Sequence, residues 1–113
     1  RRVLFRSDEK TYKFISIFDF KDNESKQKFL DYAHSENGIK ITREYKGCLS
    51  INIYNSKNSS NKLIMLQEWD SKKSKKSYLE MREKEGRQDF FETLLSTPVE
   101  LDLITPIDFS SKL

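Results

Sequence analysis

Apolar and polar positions change their period several times along this chain, and each change marks an element. From Thr11 to Lys21 (TYKFISIFDFK) the period is two. Tyr12, Phe14, Ser16, Phe18 and Phe20 share one face, and Ile15 and Ile17 share the other. Both faces carry bulky apolar groups, so this strand needs cover on both sides, unlike an antiparallel strand with one wet face. Asp22-Asn23-Glu24-Ser25 follows, with short side-chain oxygens that can accept the free amides of a first helical turn. The helix carries Phe29, Leu30 and Ala33, then Ile41 and Tyr45. Gly38 interrupts it, which predicts two pieces or a kink. Gly47 suits a left-handed C-terminal cap.

Cys48 to Asn55 (CLSINIYN) alternates again, with Leu49, Ile51 and Ile53 on one face and Ser50, Asn52 and Tyr54 on the other. The polar run Asn55 to Asn61 reads as a hairpin loop. The return strand, Leu63 to Trp69, puts Leu63, Met65, Gln67 and Trp69 together, opposite Ile64, Leu66 and Glu68. Ser71 is a candidate N-cap for a helical region whose first turns are almost wholly polar. Its apolar face begins with Tyr78, Leu79 and Met81. It breaks at Gly86 and resumes with Phe90, Phe91, Leu94 and Leu95 at helical spacing. Pro98 stops it, a last strand is expected over Val99 to Ile107, and Phe109 to Leu113 is expected to fray.

The element order β-α-β-β-α-β predicts an α+β, ferredoxin-like fold: a four-stranded antiparallel sheet with both helices on one face. The other face is then bare and apolar. A second copy, sheet against sheet about a two-fold axis, covers it most simply. The expected partner is thus the chain itself, as a homodimer through the open sheet face.

Composition narrows the function. At 113 residues, with 35% apolar and 35% charged residues, residues 8–113 read as one domain with one core. The 12% aromatic share predicts a core rich in Phe and Tyr. No apolar run is long enough to span a membrane, and no secretory signal is expected. The single cysteine excludes an internal disulfide, and a reducing cytoplasm is the default location. Residues 1–7 (RRVLFRS) match one reading frame of a common sequencing-adapter oligonucleotide. They are expected to be a non-native scar, which leaves open where the native chain starts. Without Arg1, Arg2 and Arg6, the balance of 21 Lys+Arg against 18 Asp+Glu becomes 18 against 18. The domain is then neutral, and nothing supports a nucleic-acid partner.

Several stretches carry a specific likeness. They are Lys46-Gly47-Cys48-Leu49 before the second strand, Glu68-Trp69-Asp70-Ser71 after the third, and Tyr78 to Gly86 (YLEMREKEG) in the second helix. Leu94-Leu95 before Pro98 and Ile104-Thr105-Pro106-Ile107 complete them. In their order and spacing the chain, from about Thr11 to Asp108, resembles the antibiotic biosynthesis monooxygenase family of the dimeric α+β barrel group. That family includes cofactor-independent oxygenases of aromatic polyketides, quinol oxygenases and haem-degrading enzymes, besides members without known activity. The resemblance implies a pocket between sheet and helices. It also implies a flat phenol- or quinol-type substrate, which reacts with oxygen after deprotonation, so no cofactor is expected. The alternative is a non-catalytic, dimeric ligand-binding or interaction domain of the same fold.

By this likeness Trp69 matches the tryptophan that lines the substrate pocket of polyketide oxygenases, and Phe18 and Phe90 would extend the apolar wall. A core anchor where strand meets helix is the alternative for Trp69. Two positions depart from the oxygenase pattern. Met65 stands where a polar amide is usual, and Lys75 where a tyrosine is usual. The stretch Gly86 to Leu95 has no histidine to ligate iron, and Tyr78 replaces a second tryptophan, so the resemblance points away from haem degradation.

Tyr78 and Arg82, one turn apart, form a candidate catalytic pair at the pocket mouth. Tyrosine can move a proton and arginine can stabilise an oxyanion. Otherwise they are a partly buried tyrosine beside a surface arginine paired with Glu83 or Glu85. His34, the single histidine, is a candidate substrate contact or a rim residue. With no other ligands clustered near it no metal site is expected. Cys48 is read as a small buried residue rather than a reactive thiol. Lys72, Lys73, Lys75 and Lys76 are read as a solvated helix start.

Overall fold

A computed structural model describes residues 11–107. The suspected scar and the tail from Phe109 lie outside the described residues. The strands are β1 (Tyr12–Asp19), β2 (Cys48–Asn55), β3 (Lys62–Trp69) and β4 (Glu100–Leu103). They form one antiparallel sheet in the order β2-β3-β1-β4. Each expected helix is two pieces: α1 (Asn23–His34) and α2 (Ile39–Glu44), then α3 (Lys72–Lys84) and α4 (Gln88–Leu94). The fold is the expected ferredoxin-like α+β arrangement.

Local chemistry explains the breaks. Asp22 caps α1 by accepting the amide of Ser25 at 2.7 Å, and that bond also lowers its pKa. Gly38 opens α2 where the chain turns tightly. A Cβ there would lie 2.3 Å from the Tyr32 carbonyl oxygen, so only glycine fits. Gly47 has φ +99°, two residues beyond the C-cap Tyr45, and a Cβ there would strike Ser74.

The helices cover the face carrying Phe14, Ser16, Phe20, Leu63, Met65, Gln67 and Trp69, all buried. On the other face the cross-strand pairs Ile15–Leu66 and Ile17–Ile64 form an apolar centre, partly exposed. Lys13 opposite Glu68, and Lys62 at 3.8 Å from Asp19, bracket that centre.

Two strands depart from expectation. A bulge in β2 between Cys48 and Ser50 sets Cys48 opposite Trp69, on the core side, and leaves Leu49 55% exposed. One extra residue reverses the faces before it, so strict alternation misassigned Leu49. The last strand spans four residues rather than Val99 to Ile107. The Ile104 amide still donates to the Lys13 carbonyl at 3.0 Å, and Thr105-Pro106 ends the ladder because proline has no N–H. Leu101 and Leu103 sit opposite Ser16 and Phe14, yet are 54% and 58% exposed, since β4 lies at the edge beyond the helices.

Candidate functional site

The inner layer holds two core clusters, one at each end of the sheet. The first is built on α3. Ser71 caps this helix by accepting the Ser74 amide at 3.1 Å. From that cap, Lys75, Tyr78 and Arg82 follow at spacings of four, three and four and share the face toward the sheet. Beneath them lie Phe14 of β1 and Trp69 of β3.

Trp69 is 0% exposed. Its ring lies 5.1 Å from that of Tyr78 and 6.2 Å from that of Tyr45. Its indole N–H donates to Gln67 Oε1 at 2.9 Å, two residues back on the same strand face. The Gln67 amide in turn donates to Met65 Sδ at 3.3 Å. This enclosure is the geometry of a core anchor, and a ligand reaches Trp69 only where the cluster opens.

Lys75 is the departure that matters most. Instead of extending into solvent with its neighbours it is 9% exposed. Its Nζ donates to Gln67 Oε1 at 3.1 Å and lies 4.9, 5.3 and 5.0 Å from the ring centroids of Phe14, Trp69 and Tyr78. Burial pushes its pKa down to about 8; nearby Cys48 opposes the shift and Arg82 adds to it. Composition alone placed it with Lys72, Lys73 and Lys76, which are exposed. Its helical register with Ser71 and Tyr78 was the signal that could have set it apart. Cys48, partly buried beside this cluster, has its thiol pKa raised by desolvation.

Tyr78 and Arg82 do meet, with Arg82 Nε donating to the Tyr78 hydroxyl at 2.8 Å. Tyr78 also shares a hydrogen bond with Thr42 of α2. The guanidinium spends its remaining donors on the α1–α2 connection. It reaches the Asn37 carbonyl at 2.7 Å, the Gly38 carbonyl at 2.8 Å, the Tyr32 hydroxyl at 3.0 Å and Thr42 Oγ1 at 3.2 Å. An ion pair with Glu85 at 3.0 Å completes the set. Burial works against the charge, but the bonds to Tyr78 and Glu85 outweigh it and raise the arginine pKa. With five N–H groups and six acceptors, Arg82 has no free donor. Tyr32, which the sequence pattern did not single out, is the shared acceptor. It also lies under Arg87, whose guanidinium carbon is 5.3 Å from the ring centroid.

The second cluster, Phe20, Leu63 and Leu94, is purely apolar. Beside it opens a cleft of about 450 Å³ whose walls include Phe18, Phe20, Phe29, Phe91 and Leu95, with Gln88 and Glu92 as polar members. Phe18 is therefore a cleft residue, whereas Phe90 is 48% exposed and packs on Phe91 at 5.7 Å. His34, exposed, lies on the rim of a separate cleft of about 590 Å³, with Leu30, Ile39, Arg43, Ile53 and Tyr54. The six sequence candidates thus fall in three places. Trp69, Tyr78 and Arg82 are together, Phe18 and Phe90 border the second cluster, and His34 is apart. Among the described residues no group of three or more His, Cys, Asp or Glu could hold a metal ion. No described helix is long and apolar enough to cross a membrane.

By sequence the chain matches no protein-family model and no curated protein. By structure it superposes on an antibiotic biosynthesis monooxygenase with a TM-score of 0.70 at 10% identity, over 86% of this chain and 99% of that one. A dimeric ferredoxin-like protein from an uncultured marine organism gives a TM-score of 0.69 at 18% identity, over 90% and 92%. SnoaB, a cofactor-independent oxygenase from Streptomyces nogalater, gives 0.65 at 13% identity, over 88% and 95%. At these identities the likeness establishes the fold, which is that of the antibiotic biosynthesis monooxygenases.

Proposed function

We propose that this chain works in the cytoplasm as a homodimer and oxygenates a flat phenol- or quinol-type small molecule without a cofactor. The observation that carries the reading is the phenylalanine-walled cleft beside the second cluster, in a fold shared with a cofactor-independent oxygenase. An apolar, concave wall favours a flat aromatic ligand and excludes water. Phe18 contributes directly to it, Phe90 borders it, and His34 stands on the neighbouring rim. Trp69, Tyr78 and Arg82 take part if the ligand opens the first cluster, which requires replacing a bond such as that from Arg82 to Asn37. The open sheet face, apolar at Ile15, Ile17, Ile64 and Leu66, supports the dimer.

A second reading, a ligand-binding domain without turnover, is favoured by the saturation of Arg82. Its donors go to protein acceptors rather than into either cleft. Oxygen uptake by the purified protein against a panel of quinols, with no cofactor added, separates the two. Uptake above background with any member supports oxygenation, and saturable binding without uptake supports the second reading. Sedimentation as a single subunit at high concentration would remove the dimer from both.

A further inference from the structure

The cleft of about 590 Å³ opens where α1 and α2 meet the far ends of β2 and β3. Its apolar lining is Leu30 and Ala33 of α1, Ile39 of α2, Ile53 of β2 and Leu63 of β3. Ala33 and Leu63 are buried, and Leu30 and Ile53 pack against the Phe20, Leu63 and Leu94 cluster. The floor is therefore the outer side of a packed core and keeps its shape without a ligand. Its volume is that of a small-molecule site.

The rim is cationic. Lys40 and Arg43, three residues apart, share one side of α2, and His34 adds an imidazole from the end of α1. Among the described residues neither Lys40 nor Arg43 makes a side-chain hydrogen bond or an ion pair. Arg82 and Arg87, by contrast, both pair with Glu85. Glu44 is the one carboxylate lining the cleft, and it forms an ion pair with neither cation. Two positive charges thus face one negative charge above an apolar floor. The phenylalanine-walled cleft has the opposite character: its lining includes Glu92 and no cation. Both clefts lie against the same apolar cluster, and charge separates the ligands they can take.

We propose that this cleft is a second binding site, for a small aliphatic carboxylate. The tail lies against Leu30, Ile39 and Ile53, and the carboxylate is held at the rim by Arg43 and Lys40. A guanidinium can give a carboxylate two parallel N–H donors, and the ammonium adds a point charge. Tail burial supplies most of the affinity, because solvent screens the exposed cations, and the cations supply the choice of head group. The site is independent of the phenol reading, since it uses none of the phenylalanines of the other cleft.

The test uses octanoate at about pH 8, far above the carboxyl range. 1-Octanol is the matched probe without charge, and acetate the one without a tail. His34 is the chain's one histidine, so in the untagged chain its imidazole C–H signals in the proton magnetic resonance spectrum report this rim. Octanoate is expected to shift them saturably, with acetate giving no shift at the same concentration. The double variant Lys40→Gln with Arg43→Gln changes only exposed side chains. It is expected to bind octanoate about tenfold more weakly and 1-octanol unchanged. Octanoate affinity equal in the variant and the wild type, or 1-octanol bound as tightly as octanoate, would show an apolar hollow without anion recognition. A shift as large with acetate would show an adventitious ion only, and no shift with octanoate would show no site. Each of these overturns the proposal, and none of them bears on the phenylalanine-walled cleft.

Discussion

The two ends of the inner layer are built from the same strands and solve the same packing problem in opposite ways. At the Trp69 end, α3 brings few apolar residues, so its inner face consists of Lys75, Tyr78 and Arg82. These side chains bury long stems and aromatic surface, and their polar tips find partners in Gln67, Thr42, Tyr32 and the carbonyls of Asn37 and Gly38. At the Leu94 end, α1 and α4 bring Phe29, Leu30 and Phe91, the C-cap of α4 adds Leu95, and no polar network forms in the cluster. The first end is closed because each buried polar group must keep a partner, which holds one arrangement. The second has only shape to satisfy, and it tolerates a cleft of about 450 Å³. The phenylalanine-walled cleft and the polar side chains therefore lie at different ends of one layer.

Substitutions can break this contrast. The largest effect is expected at Trp69. Trp69→Ala should lower stability by about 3–5 kcal/mol, since it empties a fully enclosed site and strips Gln67 of a donor. Urea unfolding checks this, and a loss near zero would mean that the box is not packed as described. Lys75→Met comes next, with the opposite sign. In the folded protein Lys75 has a pKa of about 8 against an ordinary 10.5. Below about pH 8 both states are charged and the burial cost is present in full. Between the two values the unfolded chain binds more protons, so wild-type stability should rise with pH there. Lys75→Met should lack that rise and be more stable at pH 7 by about 2–3 kcal/mol. Unfolding midpoints at pH 7 and pH 10 decide it, and parallel profiles would show that the amine is solvated. The smallest effect is expected at Phe90, outside the second cluster: Phe90→Ser should change stability by less than about 0.5 kcal/mol. A larger loss would mean that Phe90 is packed against Phe91 more tightly than its 48% exposure allows.

Periodicity carried the fold. The faces of β1 and β3, the caps at Asp22 and Ser71, and the breaks at Gly38 and Gly86 all follow from local rules that act over a few residues. Alternation failed at β2, where a bulge turned Cys48 inward and Leu49 outward, because a bulge depends on the partner strand. The apolar stripe of α4 was legible through Phe91 and Leu94. Phe90 was not separable from them, since the width of the buried stripe depends on what packs against it.

The candidate site was less legible. Trp69 could be named from the family resemblance and the pairing of Tyr78 with Arg82 from its one-turn spacing, but the partners of that pair at Asn37, Gly38 and Thr42 lie some forty residues away along the chain. Lys75 was hidden among exposed lysines of identical chemistry.

What the sequence determined by itself was the order of elements, their ends and the apolar faces of the sheet, because these depend on backbone geometry and neighbouring side chains. Which lysine is buried, which arginine is saturated and where the layer opens were decided only by the tertiary structure. Desolvation and hydrogen-bond satisfaction depend on groups that distant segments bring together, and no local pattern records those meetings.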